Sequence, residues 1–233
     1  MVPEERLPDL ANAEEPRAAG ALGGGALQQG QEGVTEVLLI RHAQMTALPD
    51  PREDRPLTDI GHSQAEALGA FLAREPLHAV YSSPTLRTRR TAEAVVKPHG
   101  LTVSTLDDLR DFEVYLPEGK TWEEFTNEDG FKERAQSFHR ERRWDVHAPF
   151  IEQSDRLRHR IRNVVDQAVG RHPGQRIALV THGPTINAYV ASLTPSSRDV
   201  IVRISLTGVT LVLAKDDQRA LHAVNSRAHL GTL

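Results

Sequence analysis

Apolar and polar residues along this chain fall into blocks of two different periods. Val34 to Ile40 is an apolar run with β-branched residues, bounded by Gly33 and Arg41, and it reads as a buried strand. Thr58 can cap a helix over Asp59 to Arg74, where Ile60, Ala67, Leu68, Phe71 and Leu72 recur at helical spacing. Leu77 to Tyr81 is a short strand. Pro84 opens a second helix that ends before Pro98-His99-Gly100, and Leu101 to Thr105 is a third strand. Asp107 to Gln153 is polar and irregular, with helix expected around Trp122 to Phe125 and Phe131 to Arg143. Ser154 or Asp155 then starts a helix to Val169 that Gly170 terminates. Arg176 to Val180 is another buried strand, followed by Gly183 and a helix to about Ser192. Val200 to Leu206, Val209 to Ala214 and Leu221 to Asn225 read as antiparallel or edge strands, with a tight turn at Thr207-Gly208.

Strands that alternate with helices predict an α/β fold. The expected form is a three-layer sandwich, with a mostly parallel central sheet and helices on both faces. No internal repeat is evident. The length of 233 residues suffices for one such domain, placed at residues 34–233. Residues 1–33 are rich in Ala, Gly, Glu and Pro and include Gly23-Gly24-Gly25, so they read as a flexible extension. A short docked helix near Pro16 to Leu27 is the alternative.

Composition narrows the class. Hydrophobic residues at 39% and charged residues at 26% are ordinary for a soluble globular protein. A net charge of −4 gives no general affinity for nucleic acid or anionic membrane, and leaves room for a local basic pocket. The absence of cysteine excludes disulfides, thiolate nucleophiles and Cys-ligated zinc. It permits a reducing compartment, and a cytoplasmic location is the expectation. No apolar run approaches the roughly 18 residues of a membrane span, and the N-terminus lacks the pattern of a secretory signal. Among 11 histidines there is no His-Glu-x-x-His spacing and no clustered acidic set, so no metal is expected; the expectation is of an enzyme with no organic cofactor either.

In parallel sheets, ligands bind at the carboxyl ends of the strands. Three of the expected strand ends carry unusual residues: Arg41-His42-Ala43-Gln44, Ser82-Ser83-Pro84-Thr85-Leu86-Arg87, and Thr181-His182-Gly183-Pro184. Together they would bring two histidines and two arginines to one sheet edge. A guanidinium fork matches phosphate oxygens, and a neutral imidazole can attack phosphorus and hold it as phosphohistidine. A lone Arg-His pair at a strand end is more often a surface ion pair or cap. Two such ends, each after a strongly apolar strand, favour a phosphate site.

These residues carry a resemblance. Val37-Leu38-Leu39-Ile40-Arg41-His42-Ala43 resembles the signature of the histidine phosphatase superfamily, also called phosphoglycerate mutase-like. Pro56-Leu57-Thr58-Asp59-Ile60-Gly61-His62-Ser63-Gln64-Ala65 is similar to its Leu-Thr-x-x-Gly-x-x-Gln-Ala stretch. Tyr81-Ser82-Ser83-Pro84 with Arg87 and Thr91-Ala92-Glu93 resembles its Ser-Ser-Pro block, and Val180-Thr181-His182-Gly183 its second histidine motif. The resemblance runs in order from about Val34 to Ala214. It implies a phosphoglycerate mutase-like fold and a phosphomonoester hydrolase in which His42 is the phosphorylated nucleophile. Arg41, Arg87 and His182 would complete the phosphate pocket, with Gln44 and Gly183 as further substrate-binding positions. The family's proton donor lies in a Leu-x-Glu context; here that context is Leu109-Arg110-Asp111, which aligns Asp111 with the acid. Glu113 lies two residues on, and on extended backbone it would point to the same side. The implied partner is a small phosphorylated substrate, with neither nucleic acid nor membrane, and a homodimer is left open.

Several features depart from the pattern. Ala43 stands where glycine is common, and Met45 where Thr or Ser is frequent, with Thr46 next. Gln44 has two readings, a phosphate contact or a solvent-facing side chain. The Gly-x-Trp-Glu-Gly stretch is replaced by Tyr115 to Glu123, and the long element of the mutases is not recognisable, so hydrolysis is favoured over phosphate transfer between hydroxyls. A mutase, or a non-catalytic phosphate-binding module on the same scaffold, are the alternatives. Gly119-Lys120-Thr121 is similar to the end of a P-loop, but Val114 occupies the position where the first glycine is required. The charged run Lys132 to Arg143 reads as a solvated amphipathic helix with Phe131, Ala135 and Phe138 inward, or as a basic cap steering a phosphorylated substrate. Arg52 and Arg55 are candidates for the same steering.

Overall fold

The computed structural model describes residues 26–48, 50, 54–128, 130–143 and 151–231. Six strands form one sheet: β1 (Thr35–Arg41), β2 (Ala79–Ser82), β3 (Val103–Thr105), β4 (Arg176–Thr181), β5 (Val209–Lys215) and β6 (Gln218–Ser226). Their order is β3-β2-β4-β1-β5-β6. The first four run parallel, β5 is antiparallel to β1, and β6 is antiparallel to β5. The expected mostly parallel sheet is therefore present.

Alternation along each strand divides the core in two. On one face, Val37 and Leu39 of β1 and Ile177 and Leu179 of β4 pack with helices α5 (Ser154–Arg171) and α6 (Gly183–Ser192). On the other, Leu38 and Ile40, with Ala178 and Val180, pack with helices α1 (Asp59–Leu72) and α2 (Leu86–Val96). A strand covered on both sides has no polar face to show, which is why β1 and β4 read as continuous apolar runs. Two short helices, α3 (Trp122–Thr126) and α4 (Phe131–Glu141), belong to the segment between β3 and α5. There Trp122, Phe125 and Phe131 pack ring against ring at 5.9 to 6.2 Å. The side chains of Ala135 and Phe138 lie outside those described.

From β1 the chain crosses through α1 to β2, beyond β4. From β4 it crosses through α6 to β5, on the other side of β1. The connections part between β1 and β4, and this switch point opens a crevice at their carboxyl ends.

Four expectations need correction. Val200 to Leu206 is not a strand. Its backbone is held by two side chains instead of a ladder. Asn187 Oδ1 accepts from the Ile201 and Val202 amides, each at 2.9 Å, and its Nδ2 donates to the Val202 carbonyl at 2.8 Å. Asn225 does the same for Ser205 and Arg203. Secondly, Gly170 does not stop α5, which continues to Arg171; the chain reverses at Gly174, where φ is 71°. Thirdly, α2 starts at Leu86, because Thr85 holds extended backbone at the cap and Asp54 accepts from the Leu86 amide. Fourthly, β6 begins at Gln218, ahead of Leu221, since the hairpin turn falls at Asp216-Asp217. Residues 1–25, on which the reading of a flexible extension or docked helix rests, lie outside the described residues, as does Arg52. Residues 26–33 run along the body, with the Gly30 amide bound to Glu36 at 3.1 Å.

Two glycines set how closely α1 approaches its neighbours. A β-carbon on Gly69 would lie 2.3 Å from the Ala94 carbonyl oxygen of α2, and one on Gly61 only 1.9 Å from the Gln44 carbonyl oxygen. Both obstacles are backbone, which cannot rotate away. Gly61→Ala should therefore lower stability by about 2–3 kcal/mol through forced displacement of the loop after β1. Urea denaturation of the variant beside wild type checks this, and an unchanged midpoint would contradict the close approach.

Candidate active site

The end of β1 is fixed by its neighbours. The His42 amide donates to the Thr181 carbonyl at 3.0 Å, extending the β1–β4 pairing by one residue, and the His42 carbonyl accepts from Thr207. The ring is orientated locally. Its Nδ1 lies 2.8 Å from the Ala43 carbonyl, an atom that only accepts, so Nδ1 carries the proton and Nε2 presents a lone pair. The Ala43 amide in turn donates to Thr91 Oγ1 of α2, which donates to the Arg87 carbonyl. The Gln44 side-chain oxygen accepts from the Thr58 hydroxyl at 2.7 Å, which ties this loop to the start of α1.

Around His42 the structure gathers the residues that the sequence set far apart. The rings of His42 and His182 meet edge to face at 5.4 Å between centroids. Arg87 Nη2 donates to His182 Nδ1 at 3.3 Å, and His182 Nε2 lies 3.0 Å from Ser83 Oγ. With Nδ1 accepting, Nε2 carries the proton. Ser83 Oγ can donate as well as accept, so the imidazole has a partner in either tautomer. Arg41 reaches across from β1, with Nη1 2.5 Å from the Ile204 carbonyl, and its guanidinium lies against Gly183. Arg55 donates to the Asp50 carbonyl. The Nε atoms of Arg41, Arg55 and Arg87 and the hydroxyl of Thr46 are shielded from solvent and make no hydrogen bond among the described residues. Buried donors normally find acceptors. Three of these side chains, Arg41, Arg55 and Arg87, act electrostatically on the His42 imidazole, a setting that suits an anion.

Burial dominates the proton affinities. His42 is 3% exposed. Desolvation drives its pKa down to about 3; the bond to Ala43 opposes this, and Arg87, Arg41 and Arg55 add to it. His182 is pushed well below the ordinary value by desolvation, then by His42, Arg87, Arg41 and Arg160. Both rings are therefore neutral at physiological pH. Arg41 and Arg87 are lowered by burial as well, against support from Asp111, and stay charged.

The two acidic candidates part company here. Asp111 faces the crevice with 31% of its side chain exposed, and its Oδ2 lies 3.8 Å from His182 Nδ1, too far for a hydrogen bond. Protein atoms crowd the carboxyl closely enough that desolvation raises its pKa to about 6, against the Phe112 amide and Arg87, Arg41 and Arg160. Glu113 is half exposed. It accepts from the Tyr115 hydroxyl and lies 3.9 Å from Arg156, away from both histidines. Both carboxylates line a cleft of about 540 Å³ that also takes in Arg87, Phe112 and Tyr115.

Sequence reasoning gave no role to three residues that hold this site together. Ser83 is the partner of His182. Asp54 binds the Leu86 amide and lies 3.9 Å from Arg87 Nη1. Arg160 of α5 binds the Asp111 carbonyl. Ser83 was visible inside its motif; nothing in the sequence pairs Asp54 with Arg87 or Arg160 with Asp111. Of the charged run after Phe131, Glu133, Arg140 and Glu141 are exposed, in keeping with a solvated face. Among the described residues no group of three His, Asp or Glu is placed to hold a metal ion, and no helix is long and apolar enough to cross a membrane.

Comparison with known proteins identifies the family. The chain is 27% identical over 208 residues to a metal-independent phosphoserine phosphatase of Arabidopsis thaliana, covering 86% of this chain and 85% of the relative. It is 28% identical over 172 residues to phosphoglycerate mutase-like protein 4 of the same plant, covering 71% and 74%. Among solved structures it is similar to YhfR of Bacillus stearothermophilus, with a TM-score of 0.71 and 25% identity over 84% of this chain and 99% of that one. The model of the histidine phosphatase superfamily, branch 1, matches residues 37–227, and the chain belongs to that superfamily.

Proposed function

We propose that this chain is a phosphomonoester hydrolase that works through a phosphohistidine on His42. One observation carries the reading: a buried, neutral imidazole whose Nε2 lone pair is left available by the Nδ1 bond to Ala43, set among guanidinium donors. His42 Nε2 attacks phosphorus and the ester P–O bond breaks in line. Asp111 gives its proton to the departing oxygen. Water then attacks the phosphohistidine, its proton passes to the Asp111 carboxylate, and the N–P bond breaks. Arg41 and Arg87 hold the charge that gathers on the phosphoryl oxygens, and His182 joins them in the tautomer that carries its proton on Nδ1 while Ser83 donates to Nε2; such stabilisation in phosphoryl transfer does most of the work. Asp111 is preferred to Glu113 as donor because it stands beside His182 and its proton affinity is raised toward neutrality.

The name of the Arabidopsis relative supports hydrolysis without a metal, on a small phosphorylated substrate. The cleft lined by Phe112, Tyr115 and Arg87 is where the alcohol portion would sit. EDTA should leave activity unchanged.

His42→Ala should abolish turnover of p-nitrophenyl phosphate and of alkyl phosphates. Wild type quenched during turnover should carry acid-labile, base-stable phosphate that this variant lacks. Phosphate trapped on another residue would refute the assignment, and phosphoglycerate isomerised faster than it is hydrolysed would make the protein a mutase.

Asp111→Asn should lower kcat on alkyl phosphates by about 10²-fold or more. The free enzyme needs Asp111 protonated, so kcat/KM should fall as pH rises through about 6, and this limb should vanish in the variant.

The same substitution should stabilise the fold. A carboxyl whose folded pKa is raised above its unfolded value contributes stability below the unfolded value and loses it as pH rises through the folded one. At pH 8 the ionised Asp111 therefore bears a desolvation penalty that asparagine lacks, and Asp111→Asn should gain about 1–2 kcal/mol in urea denaturation, part of the shift being screened by solvent. A loss of stability at pH 8 would show that the carboxylate is better solvated than its setting implies.

A further inference from the structure

Asp111 sits on a segment with little secondary structure beyond one 3₁₀ turn, Asp107–Leu109. Four consecutive carbonyls there are held by side chains. Arg160 Nη1 donates to Asp108 at 2.7 Å and to Arg110 at 3.1 Å, and its Nη2 donates to Asp111 at 3.2 Å. Thr181 Oγ1 takes the Leu109 carbonyl at 2.6 Å, and Thr185 Oγ1 shares that of Arg110. The same guanidinium makes a two-point pair with Glu152, Nε to Oε1 at 3.0 Å and Nη2 to Oε2 at 2.5 Å. The Glu152 side chain is fully buried, and its amide donates to the Glu113 carbonyl at 2.8 Å. Val114 and Ile151 pair beside it. One arginine thus joins both roots of the long insertion to α5, and the candidate proton donor lies at that junction.

We propose that Arg160, backed by Glu152, is a positioning residue for the proton transfer: it fixes the backbone from which Asp111 reaches the departing oxygen, without touching substrate itself. This rests on the reading of Asp111 as the donor. A planar fork with five N–H groups suits the task, because it can serve three carbonyls and two carboxylate oxygens at once; an ammonium cannot. Three of its five bonds go to the carbonyls that lead into Asp111, so losing them would release the backbone that carries the carboxyl. The groups facing the carboxyl are Arg41 from β1, Arg87 from α2, His182 ahead of α6 and Arg160 from α5, with Asp54 and Glu113 on the same cleft.

The experiment compares kcat and KM for p-nitrophenyl phosphate, whose phenolate departs unprotonated, and for glycerol 2-phosphate, whose alkoxide needs a proton. The proteins are wild type, Arg160→Lys, the double variant Arg160→Gln/Glu152→Gln, and Asp111→Asn. The double variant avoids stranding a buried carboxylate, which by itself could unfold the chain. A donor displaced by about 1 Å should raise the aryl-to-alkyl ratio of kcat/KM, which reports the phosphorylation step and not the later hydrolysis common to both substrates, by up to about 10²-fold in both Arg160 variants as in Asp111→Asn. An equal fall in kcat/KM on both substrates, no fall on either, or failure of both Arg160 variants to unfold cooperatively would overturn the inference. If Asp111→Asn itself fails to discriminate between the substrates, the donor assignment has failed. If it discriminates and the Arg160 variants do not, only the positioning role has.

Discussion

The hydrogen bond from the His42 amide to the Thr181 carbonyl is the contact on which the site depends. It carries the pairing of the two central strands one residue past their ends. The next residue on each chain is then a histidine-bearing turn, and two rings separated by 140 positions in sequence come within 5.4 Å. Everything else at the crevice is placed relative to that pair. Thr91 fixes the loop after His42 from α2, Ser83 fixes His182 from the end of β2, and the bond to Ala43 selects the ring nitrogen that faces the pocket. A sheet buried on both faces by apolar packing is stiff, and stiffness is what an in-line displacement at phosphorus requires.

Electrostatics in this crevice run against the stability of the empty protein. Several guanidinium groups are brought close together and partly stripped of water, and two imidazoles are held neutral among them. Crowding the guanidinium groups disfavours folding, and in the proposed reaction the same crowding favours a phosphate dianion. In the proposed reaction the guanidinium groups of Arg41, Arg55 and Arg87 are already held in place by the Ile204 carbonyl, the Asp50 carbonyl and His182 before the charge develops. That is the sense in which preorganised polar groups outperform water, which must reorientate at the moment of reaction. The same burial acts in opposite directions on the two partners, pulling the imidazoles down and pushing the carboxyl of Asp111 up, so that one fold holds a free base and an acid near neutrality.

The layers of the fold and the histidine pair were legible in the sequence because both follow from short-range pattern. Apolar runs bounded by glycine and arginine gave β1 and β4, and helical spacing with a Thr58 cap gave α1. Polar residues at strand ends then marked the site. The misreading of Val200 to Leu206 shows the limit of such pattern. That run has the β-branched content of a strand, and only the distant side chains of Asn187 and Asn225 decide otherwise, by taking its backbone groups for themselves. Arg160 was equally invisible: on α5 it is one arginine among several, and its carbonyl partners lie about fifty residues upstream. The choice between Asp111 and Glu113 depends on which carboxyl is crowded by protein and which meets Tyr115 and Arg156 in the open. That is a matter of packing, and no local rule encodes it.

The pairing of Val114 with Ile151 has a consequence for how such a protein can diversify. It closes the insertion at its neck, so the chain beyond the neck begins and finishes at nearly one point. Lengthening a loop whose ends are already joined is inexpensive, since each doubling adds only about 0.6 kcal/mol of closure entropy. Whatever lies outside the neck can therefore be exchanged wholesale during evolution, altering which alcohol is welcomed, while the chemistry at its foot stays where it is.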